Sequence, residues 1–312
     1  MSNKVAFLFP GQGSQAVGMG EDLYNNFEIA RDILDSASDA SGINFKELLF
    51  TENENLAKTE FTQPAILLVS MMAHKVFEDE FSIKPTYALG HSLGELSALC
   101  SVGALDINDA VKLVNKRGSL MAKACEGQDV GMLVSLGLSD EDVQSICQAQ
   151  RDANKQVWAV NYNTDGQIVI AGIKSDLVEL EPILKDAGAK RAMLLNMSVA
   201  SHCPLLQSAV EPFKAELTSV IKDDFLAPVI SNVTAKAYNT KEQTLELLPQ
   251  QLVMPVLYKQ SILNIEQELD YLVEFGHGNV LKGLNKKLTK KPHFNVNNAK
   301  TLEATINSIK GL

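Results

Sequence analysis

Cysteine, tryptophan and long apolar runs are scarce in this chain of 312 residues, which has four cysteines and one tryptophan. No apolar run reaches the ~20 residues that a membrane-spanning helix needs, and no secretory signal is visible before the strand-like segment at Val5. The cysteines show neither C-x-x-C pairing nor metal-ligand spacing, so we expect free, mostly buried thiols and no metal site. These absences predict a cytoplasmic protein that does not span a membrane.

Positive charge is also in deficit, because 28 Lys and Arg residues face 38 Asp and Glu residues and give a net charge of −10. This balance disfavours a nucleic-acid binder and a basic membrane-surface protein. The segment 282–291 carries five lysines as a local exception, and we interpret it as a solvated helix face. Length and a hydrophobic content of 46% allow one large domain with an insertion, or two domains.

The chain does contain a G-x-S-x-G pattern, Gly90-His91-Ser92-Leu93-Gly94, between two apolar runs. This context predicts a nucleophile elbow, a sharp strand-to-helix turn that exposes the hydroxyl of Ser92. A helix that starts at Leu93 would present unpaired backbone N–H groups, which can hold a developing oxyanion. Because the pattern is common by chance, a glycine-punctuated turn with an ordinary serine is the alternative interpretation.

Strand-like and helix-like segments alternate along most of the chain, which predicts an α/β fold with a mostly parallel sheet covered on both faces. Residues 127–196 instead follow the order β-α-β-β-α-β of a ferredoxin-like unit. We therefore predict a large subdomain formed by residues 1–126 and 199–312, with a small ferredoxin-like subdomain, residues 127–198, inserted in it. Within the large subdomain, a long apolar helix is predicted from Thr62 to Phe77, with Pro64 in its first turn.

One charged side chain falls on a buried helix face. The helix predicted from Asp106 to Ala124 repeats apolar residues at helical spacing, and Arg117 lies among them. The chain has only four arginines, and a buried arginine is costly unless an anion meets it. The anion could be a protein carboxylate in a buried salt bridge. It could also be a substrate carboxylate, for which the guanidinium fork is suited.

A serine nucleophile needs a general base, and the chain has five histidines. His202 is the best placed, because Pro204 suits a first helical position and leaves His202 in the loop before that helix, where the helix terminus favours a neutral imidazole. His277, in Gly276-His277-Gly278, is the main alternative. His91 is expected to point away from Ser92, His74 is interpreted as structural, and His293 lies near a terminal strand.

Several motifs together resemble the malonyl-CoA:acyl carrier protein transacylases over nearly the whole chain. They are Pro10-Gly11-Gln12-Gly13-Ser14-Gln15, the Ser92 motif, Arg117 twenty-five residues later, Ser201-His202, Asn161-Tyr162-Asn163, Ser231-Asn232-Val233, and Gln251 ahead of Pro255-Val256. The resemblance implies an α/β-hydrolase-like large subdomain with a ferredoxin-like insertion. It also implies transfer of malonyl from malonyl-CoA to the phosphopantetheine thiol of acyl carrier protein in fatty acid biosynthesis, without a cofactor, by an enzyme that we expect to be a monomer.

The resemblance assigns a role to each matching position. Ser92 would be the nucleophile, and His202 the general base and later the general acid. A backbone carbonyl at Gln251 would orient His202 in place of a carboxylate. The resemblance further places the oxyanion hole at the backbone N–H groups of Gln12 and Leu93. The carboxylate of the malonyl group would then pair with Arg117.

Three positions depart from the family pattern: Ala122 replaces a common Gln, Met254 replaces a usual Asn, and His277 lies where Gly-Pro-Gly-Lys is usual. None of them removes a catalytic group, and they bear on fine details of acyl and carrier recognition. The sequence leaves the choice between malonyl and methylmalonyl open. Other functions remain open at this stage. They are a stand-alone acyltransferase of a polyketide pathway, a serine thioesterase or esterase, and an acyl-CoA or carrier-binding protein without turnover.

Overall fold

The computed structural model describes residues 4–197 and 199–312. Predictions for residues 1–3 and 198, including the end of the proposed small subdomain, lie outside the described residues. The strands are Val5–Phe9 (β1), Tyr87–Gly90 (β2), Val130–Leu136 (β3), Val157–Thr164 (β4), Gln167–Ile173 (β5), Arg191–Leu194 (β6), Val229–Ile230 (β7), Ala237–Tyr238 (β8), Tyr271–Phe275 (β9) and His293–Val296 (β10).

The helices cover both faces of the larger sheet and one face of the smaller. They are Glu21–Asn26 (α1), Glu28–Ser41 (α2), Phe45–Phe50 (α3), Thr59–Glu80 (α4), Leu93–Ser101 (α5), Ile107–Ala124 (α6), Asp140–Asp152 (α7), Lys174–Asp186 (α8), Gln207–Val220 (α9), Lys241–Gln250 (α10), Tyr258–Ile265 (α11), Val280–Asn285 (α12) and Ala299–Lys310 (α13). No helix in the described part of the chain is long and apolar enough to cross a membrane.

The larger sheet has the strand order β10-β9-β1-β2-β7-β8 among the described residues. Its pairs are parallel except that of β7 with β8. Every residue of β1 is buried, as expected for a strand covered on both faces. Since β1, β2 and β7 are parallel neighbours, the loops after Phe9, Gly90 and Ile230 leave the same edge of the sheet. That edge is where the functional site forms.

The smaller sheet has the order β4-β5-β3-β6 among the described residues, and all its pairs are antiparallel. With α7 after β3 and α8 after β5, this is the ferredoxin-like arrangement. Helix α7 begins as its capping pattern predicts, because the Ser139 hydroxyl accepts the Asp142 N–H at 3.1 Å. The parallel sheet and the antiparallel sheet together confirm the predicted fold class.

Two local predictions were wrong. Helix α4 begins at Thr59, so Pro64 lies in its second turn and not in its first. Proline cannot donate to the carbonyl four residues before it, and the Asn115 amide satisfies the carbonyl of Glu60 instead, at 2.7 Å. Helix α12 ends at Asn285, so four of the five lysines of the segment 282–291 come after the helix and do not form a helix face.

His74 lies in the core between α4 and the larger sheet. It is 2% exposed, and its ring makes edge contacts with Phe7 and Phe275 at 5.5 and 5.2 Å between centroids. Burial lowers the pKa of His74 to about 4. Between pH 6.5 and pH 4, His74 is therefore protonated in the unfolded chain and neutral in the folded chain. The free energy of unfolding falls as the pH drops through this range.

Replacing His74 by phenylalanine should reduce this acid sensitivity, because the ring contacts persist and the titrating group is removed. Between pH 7 and pH 5, we expect the free energy of unfolding to fall by about 2 kcal/mol less in His74→Phe than in the wild type. Urea unfolding at the two pH values measures the difference. An identical pH dependence in both proteins would contradict the assignment.

Candidate functional site

Ser92 lies at a strained turn between β2 and α5. Its φ and ψ of 53° and −105° are unusual for a residue with a side chain. The turn is closed by two glycines, because a Cβ at Gly90 would overlap the backbone of Gly94, and a Cβ at Gly94 would overlap the carbonyl of Phe9. The sequence pattern thus folds into the predicted elbow, with the Ser92 hydroxyl at the edge where the loops converge.

Alanine at position 94 should destabilise this turn strongly, because its Cβ has no room against the β1 backbone. We expect Gly94→Ala to lower the free energy of unfolding by about 3 kcal/mol and to remove activity. Gly283→Ala is the matched control, since a Cβ at this helical glycine meets nothing within 4 Å. The control should be neutral or stabilising by up to about 1 kcal/mol. Chemical unfolding of both variants tests the pair, and equal stability of both would contradict the packing described.

Asn232, in the loop after β7, holds the elbow in place. Its side-chain oxygen accepts the Ser92 N–H at 2.7 Å, and its side-chain nitrogen donates to the Gly90 carbonyl at 2.7 Å. The side chain is 1% exposed, so both bonds are shielded from water. The sequence indicated Asn232 only as part of a motif, without this role.

His202 lies next to Ser92 in space. Its Nε2 is 2.8 Å from the Ser92 hydroxyl oxygen, and its Nδ1 is 2.6 Å from the main-chain oxygen of Gln251. A carbonyl only accepts hydrogen bonds, so Nδ1 carries the proton and Nε2 presents a lone pair to the serine hydroxyl. This is the tautomer that a general base for Ser92 requires.

The electrostatic environment keeps His202 neutral. Burial and then the positive charge of Arg117 lower the pKa of His202 to about 3, against the hydrogen bond to Gln251, which raises it. The sequence predicted a neutral His202 because of the nearby helix terminus, whereas the structure shows that burial is the largest cause of its lowered pKa. The residue has a φ of 63° and precedes a 3-10 turn, Pro204–Leu206, that leads into α9.

Arg117, on α6, is 1% exposed, and its guanidinium group also contacts the Ser92 hydroxyl. It donates from Nη1 to Gln63 Oε1 at 2.8 Å, and from Nη2 to Gln251 Oε1 at 2.8 Å and to the Ser92 hydroxyl at 3.3 Å. Its Nε has no partner among the described residues. The acceptors in the described part of the chain are therefore neutral oxygens, and a direct salt bridge to a protein carboxylate is not what holds this guanidinium.

Gln63 is a site residue that sequence reasoning missed. It lies on α4 with 1% exposure, and its Nε2 is 3.2 Å from Thr59 Oγ1 and 3.3 Å from Met121 Sδ. These contacts turn its oxygen towards Arg117. A polar amide in the second turn of a long apolar helix was the signal in the sequence that could have indicated it.

The two predicted oxyanion donors border the same cavity. The backbone N–H groups of Gln12 and Leu93 donate to no acceptor in the described part of the chain, and both residues line the cavity beside Ser92. The Gln12 side chain accepts the Thr59 hydroxyl at 2.9 Å, which anchors the loop after β1. Free N–H groups beside a nucleophile are suited to a developing negative charge.

The cavity has a volume of about 410 Å³ and lies between the two sheets. Its polar end holds Ser92, His202 and Arg117. Its remaining walls are mostly apolar and come from the smaller sheet, from the loop after β6 and from α12, with Met132, Val134, Val169, Leu195, Met197, Val280, Leu281 and Leu284 among them. A small acyl group can therefore reach Ser92 with a longer, flexible chain behind it.

The other histidines are not hydrogen-bonded to Ser92. His91 Nε2 lies 2.8 Å from Asn163 Oδ1 in the cavity wall, and His293 Nδ1 contacts the Asn285 amide at 3.4 Å. His277, the predicted alternative to His202, is not among the residues that line the cavity. Of the two candidates for the base, the structure brings only His202 to the serine.

None of the three departures from the family pattern is among the residues that line the cavity. Ala122 and Met254 are not in its lining, and Met254 is 44% exposed. His277 precedes α12, whose residues Val280, Leu281 and Leu284 form part of the wall. Ala122 directly follows Met121, which also lines the cavity, so Ala122 and His277 are the two departures that lie close in sequence to a wall.

An α/β sheet with a serine elbow and a neighbouring histidine is the arrangement of serine enzymes that form acyl-enzyme intermediates. The model of the acyl transferase domain family matches residues 6–304. The chain is 39% identical to the malonyl CoA-acyl carrier protein transacylase of Haemophilus influenzae, over 91% of this chain and 92% of that protein. The chain belongs to the malonyl CoA-acyl carrier protein transacylase family.

Solved structures agree with this assignment. The malonyl-CoA:acyl carrier protein transacylase of Helicobacter pylori has a TM-score of 0.95 and 44% identity, with 99% of each chain covered. A malonyl-transacylase solved in complex with its type II PKS acyl-carrier protein has a TM-score of 0.94 and 35% identity, covering 98% of this chain and 100% of that chain. The fold and the family resemblance predicted from the sequence are thereby confirmed.

Proposed function

We propose that this enzyme transfers the malonyl group from malonyl-CoA to the phosphopantetheine thiol of an acyl carrier protein in fatty acid biosynthesis. The observation that carries the proposal is the set of contacts at Ser92, whose hydroxyl lies 2.8 Å from a neutral histidine and 3.3 Å from a buried arginine. A nucleophile and its base explain acyl transfer, and a cation beside them explains an acyl group that ends in a carboxylate.

In the first half-reaction, Ser92 Oγ attacks the thioester carbonyl while His202 Nε2 takes its proton. The N–H groups of Gln12 and Leu93 hold the oxyanion of the tetrahedral intermediate. When the intermediate collapses, the C–S bond breaks and His202 returns the proton to the departing CoA sulfur. Malonyl-Ser92 remains, and the CoA leaves.

The second half-reaction repeats these steps with the carrier thiol as nucleophile. His202 takes the thiol proton, the sulfur attacks the ester carbonyl of malonyl-Ser92, and the proton returns to Ser92 Oγ as the acyl–oxygen bond breaks. The result is a ping-pong exchange with one acyl-enzyme intermediate. Side chains and backbone amides supply every group in this scheme, so it uses no metal and no cofactor.

Arg117 is proposed to bind the free carboxylate of the malonyl group through its guanidinium fork. Its acceptors within the protein are neutral amide oxygens, so an incoming carboxylate would be the stronger acceptor. The apolar walls of the cavity suit the pantetheine arm that CoA and the carrier share. Gln251 positions both groups, because its main-chain oxygen accepts from His202 Nδ1 and its side-chain oxygen accepts from Arg117 Nη2.

A stand-alone acyltransferase of a polyketide pathway is the second candidate. It is favoured by the structural likeness to a malonyl-transacylase in complex with its type II PKS acyl-carrier protein. The chemistry at Ser92 would be the same, and only the carrier would differ. A serine thioesterase is less well supported, because the histidine is oriented by the carbonyl of Gln251 and not by an Asp or Glu.

The proposed function is tested by incubating the enzyme with malonyl-CoA and purified phosphopantetheinylated carriers, one from a fatty acid pathway and one from a polyketide pathway. Malonyl-carrier and free malonate are both quantified. We expect carrier malonylation to exceed malonate release greatly, with the fatty acid carrier preferred. Release of malonate at the same rate with and without carrier would contradict the proposal and indicate a thioesterase.

Three further expectations belong to this proposal. We propose that the enzyme acts as a monomer in the cytoplasm, with CoA esters and the carrier protein as its partners. The four cysteines are free and buried, which suits a compartment where thiols stay reduced. A nucleic-acid or membrane partner is not part of the proposal, given the net charge of −10.

A further inference from the structure

Glu95 is a buried carboxylate for which the proposed reaction has no direct use. It lies on α5, one turn after Ser92, and is 1% exposed. Every other residue of this helix is apolar or small, so a glutamate here stands out already in the sequence. A carboxylate in such a place is costly unless hydrogen bonds or a counter-charge offset its burial.

Three donors from distant parts of the chain meet the Glu95 carboxylate. Its Oε2 accepts the Gln251 side-chain N–H at 2.7 Å and the Asn232 backbone N–H at 3.0 Å. Its Oε1 accepts the Tyr238 hydroxyl at 3.0 Å. Burial raises the pKa of Glu95 to about 7, while these donors and Arg117 oppose that rise. Above that pH the group is an ionised, fully accepting carboxylate.

The bond to Gln251 links Glu95 to the acyl-binding arginine. The Gln251 amide gives its Nε2 to Glu95 at 2.7 Å and turns its Oε1 to Arg117 Nη2 at 2.8 Å. An amide flip would place an NH₂ group against the guanidinium, where two donors would face each other, and an oxygen against the carboxylate. Glu95 therefore allows only one orientation of the amide.

Gln251 also touches the base. Its main-chain oxygen accepts from His202 Nδ1 at 2.6 Å, and its side-chain Nε2 is 3.1 Å from the Ser92 carbonyl. One residue thus joins the serine, the histidine and the arginine, and Glu95 fixes the side-chain end of it. A shift of that amide would move Arg117 relative to Ser92, where small displacements are costly.

We propose that Glu95 is a positioning residue that acts through the Gln251 amide to aim Arg117 at the carboxylate of the acyl group, and so sets the preference for malonyl over acetyl. The inference rests on the proposed function and deepens it. It differs from a role in the acid–base chemistry, because among the described residues the Glu95 carboxylate accepts from Asn232, Tyr238 and Gln251 and not from His202 or the Ser92 hydroxyl.

The test compares transfer of malonyl and acetyl groups from their CoA esters to the carrier at pH 8, where Glu95 is ionised. In Glu95→Met, which keeps the volume and removes the acceptors, we expect the ratio of kcat/KM for malonyl to that for acetyl to fall about tenfold. Glu95→Gln should restore most of the ratio, because its amide oxygen can still accept from Gln251 while its NH₂ donates to Tyr238. Tyr238→Phe removes a different bond of the same carboxylate and should leave the ratio unchanged.

A double-variant cycle tests whether Glu95 acts through the Gln251 side chain. If Glu95 acts through the amide, Glu95→Met combined with Gln251→Met should lower the ratio no further than Gln251→Met alone. Should Glu95→Met fail to fold, Glu95→Asp serves instead, since its carboxylate is one methylene further from Gln251 and the ratio should again fall.

Equal losses for malonyl and acetyl in the Glu95 variants, or additive losses in the double variant, would overturn the inference while leaving the proposed function intact. Failure of the wild-type enzyme to transfer malonyl at all would instead overturn the proposed function. The wild-type arm therefore separates the two outcomes.

Discussion

Removing the Ser92 hydroxyl should abolish malonyl transfer. In Ser92→Ala we expect the rate to fall by roughly 10⁴-fold or more, since no acyl-enzyme can form. His202→Ala should fall by a similar factor, because Nε2 is the base at 2.8 Å from the hydroxyl. The two groups act as a unit, so the double variant should be little worse than either single one. Carrier malonylation measured over time gives the rates.

The matched control for Ser92→Ala is a serine on α5, the helix that follows Ser92. Ser101 lies at the end of α5 and donates to the Ala98 carbonyl at 2.8 Å, away from the cavity. Ser101→Ala should retain activity within about twofold. If Ser92→Ala transferred malonyl at a rate close to that of the control, Ser92 would not be the nucleophile.

Truncation of Arg117 should separate malonyl from acetyl. In Arg117→Ala we expect kcat/KM for malonyl-CoA to fall by about 100-fold or more, which is about 3 kcal/mol, because a buried carboxylate would lose its partner. The loss with acetyl-CoA should be far smaller, since acetyl has no carboxylate. Arg117→Lys should recover only part of the loss, because an ammonium cannot reproduce the fork that reaches Gln63 and Gln251 together.

Arg31→Ala is the control for charge alone. Arg31 lies on α2 and donates to the Tyr24 carbonyl at 3.0 Å, outside the cavity lining. Its loss should leave both substrates unaffected. Parallel declines for malonyl and acetyl in Arg117→Ala would contradict a carboxylate-binding role and point to a general effect on the site.

The parts of the site that the sequence predicted are those with local signals. The glycines around Ser92 shape the elbow within five residues, and Pro204 marks the helix start that leaves His202 in a loop. Arg117 was recognisable because one helix repeat alone shows that it lies on a buried face. Each of these signals depends on residues that are close together in the sequence, so it can be recognised without knowledge of the folded structure.

The parts that were missed depend on contacts between distant segments. Gln63 meets Arg117 across 54 residues, and Asn232 meets Ser92 across 140. Glu95 could be noticed as a charge in an apolar helix, but its partners become visible only in the folded chain. The misplaced start of α4 has the same origin, since Asn115 compensates the bond that Pro64 cannot make.

The choice between His202 and His277 as the general base shows what the sequence alone could not decide. Both lie in loops shortly before a helical segment, and the sequence offered no measure of their distance to Ser92. The structure places Nε2 of His202 at 2.8 Å from the serine oxygen. The catalytic roles of these residues remain predictions, which the variants above address.

The most direct test of the account is mass spectrometry of the intact protein and its peptides after brief exposure to malonyl-CoA. We predict a single malonyl adduct on the peptide that contains Ser92, which persists until phosphopantetheinylated carrier is added and then moves to the carrier. Exposure to acetyl-CoA should label the same peptide much more weakly. Absence of the malonyl adduct, its appearance on another residue, or its loss to water as rapidly without carrier would contradict the account.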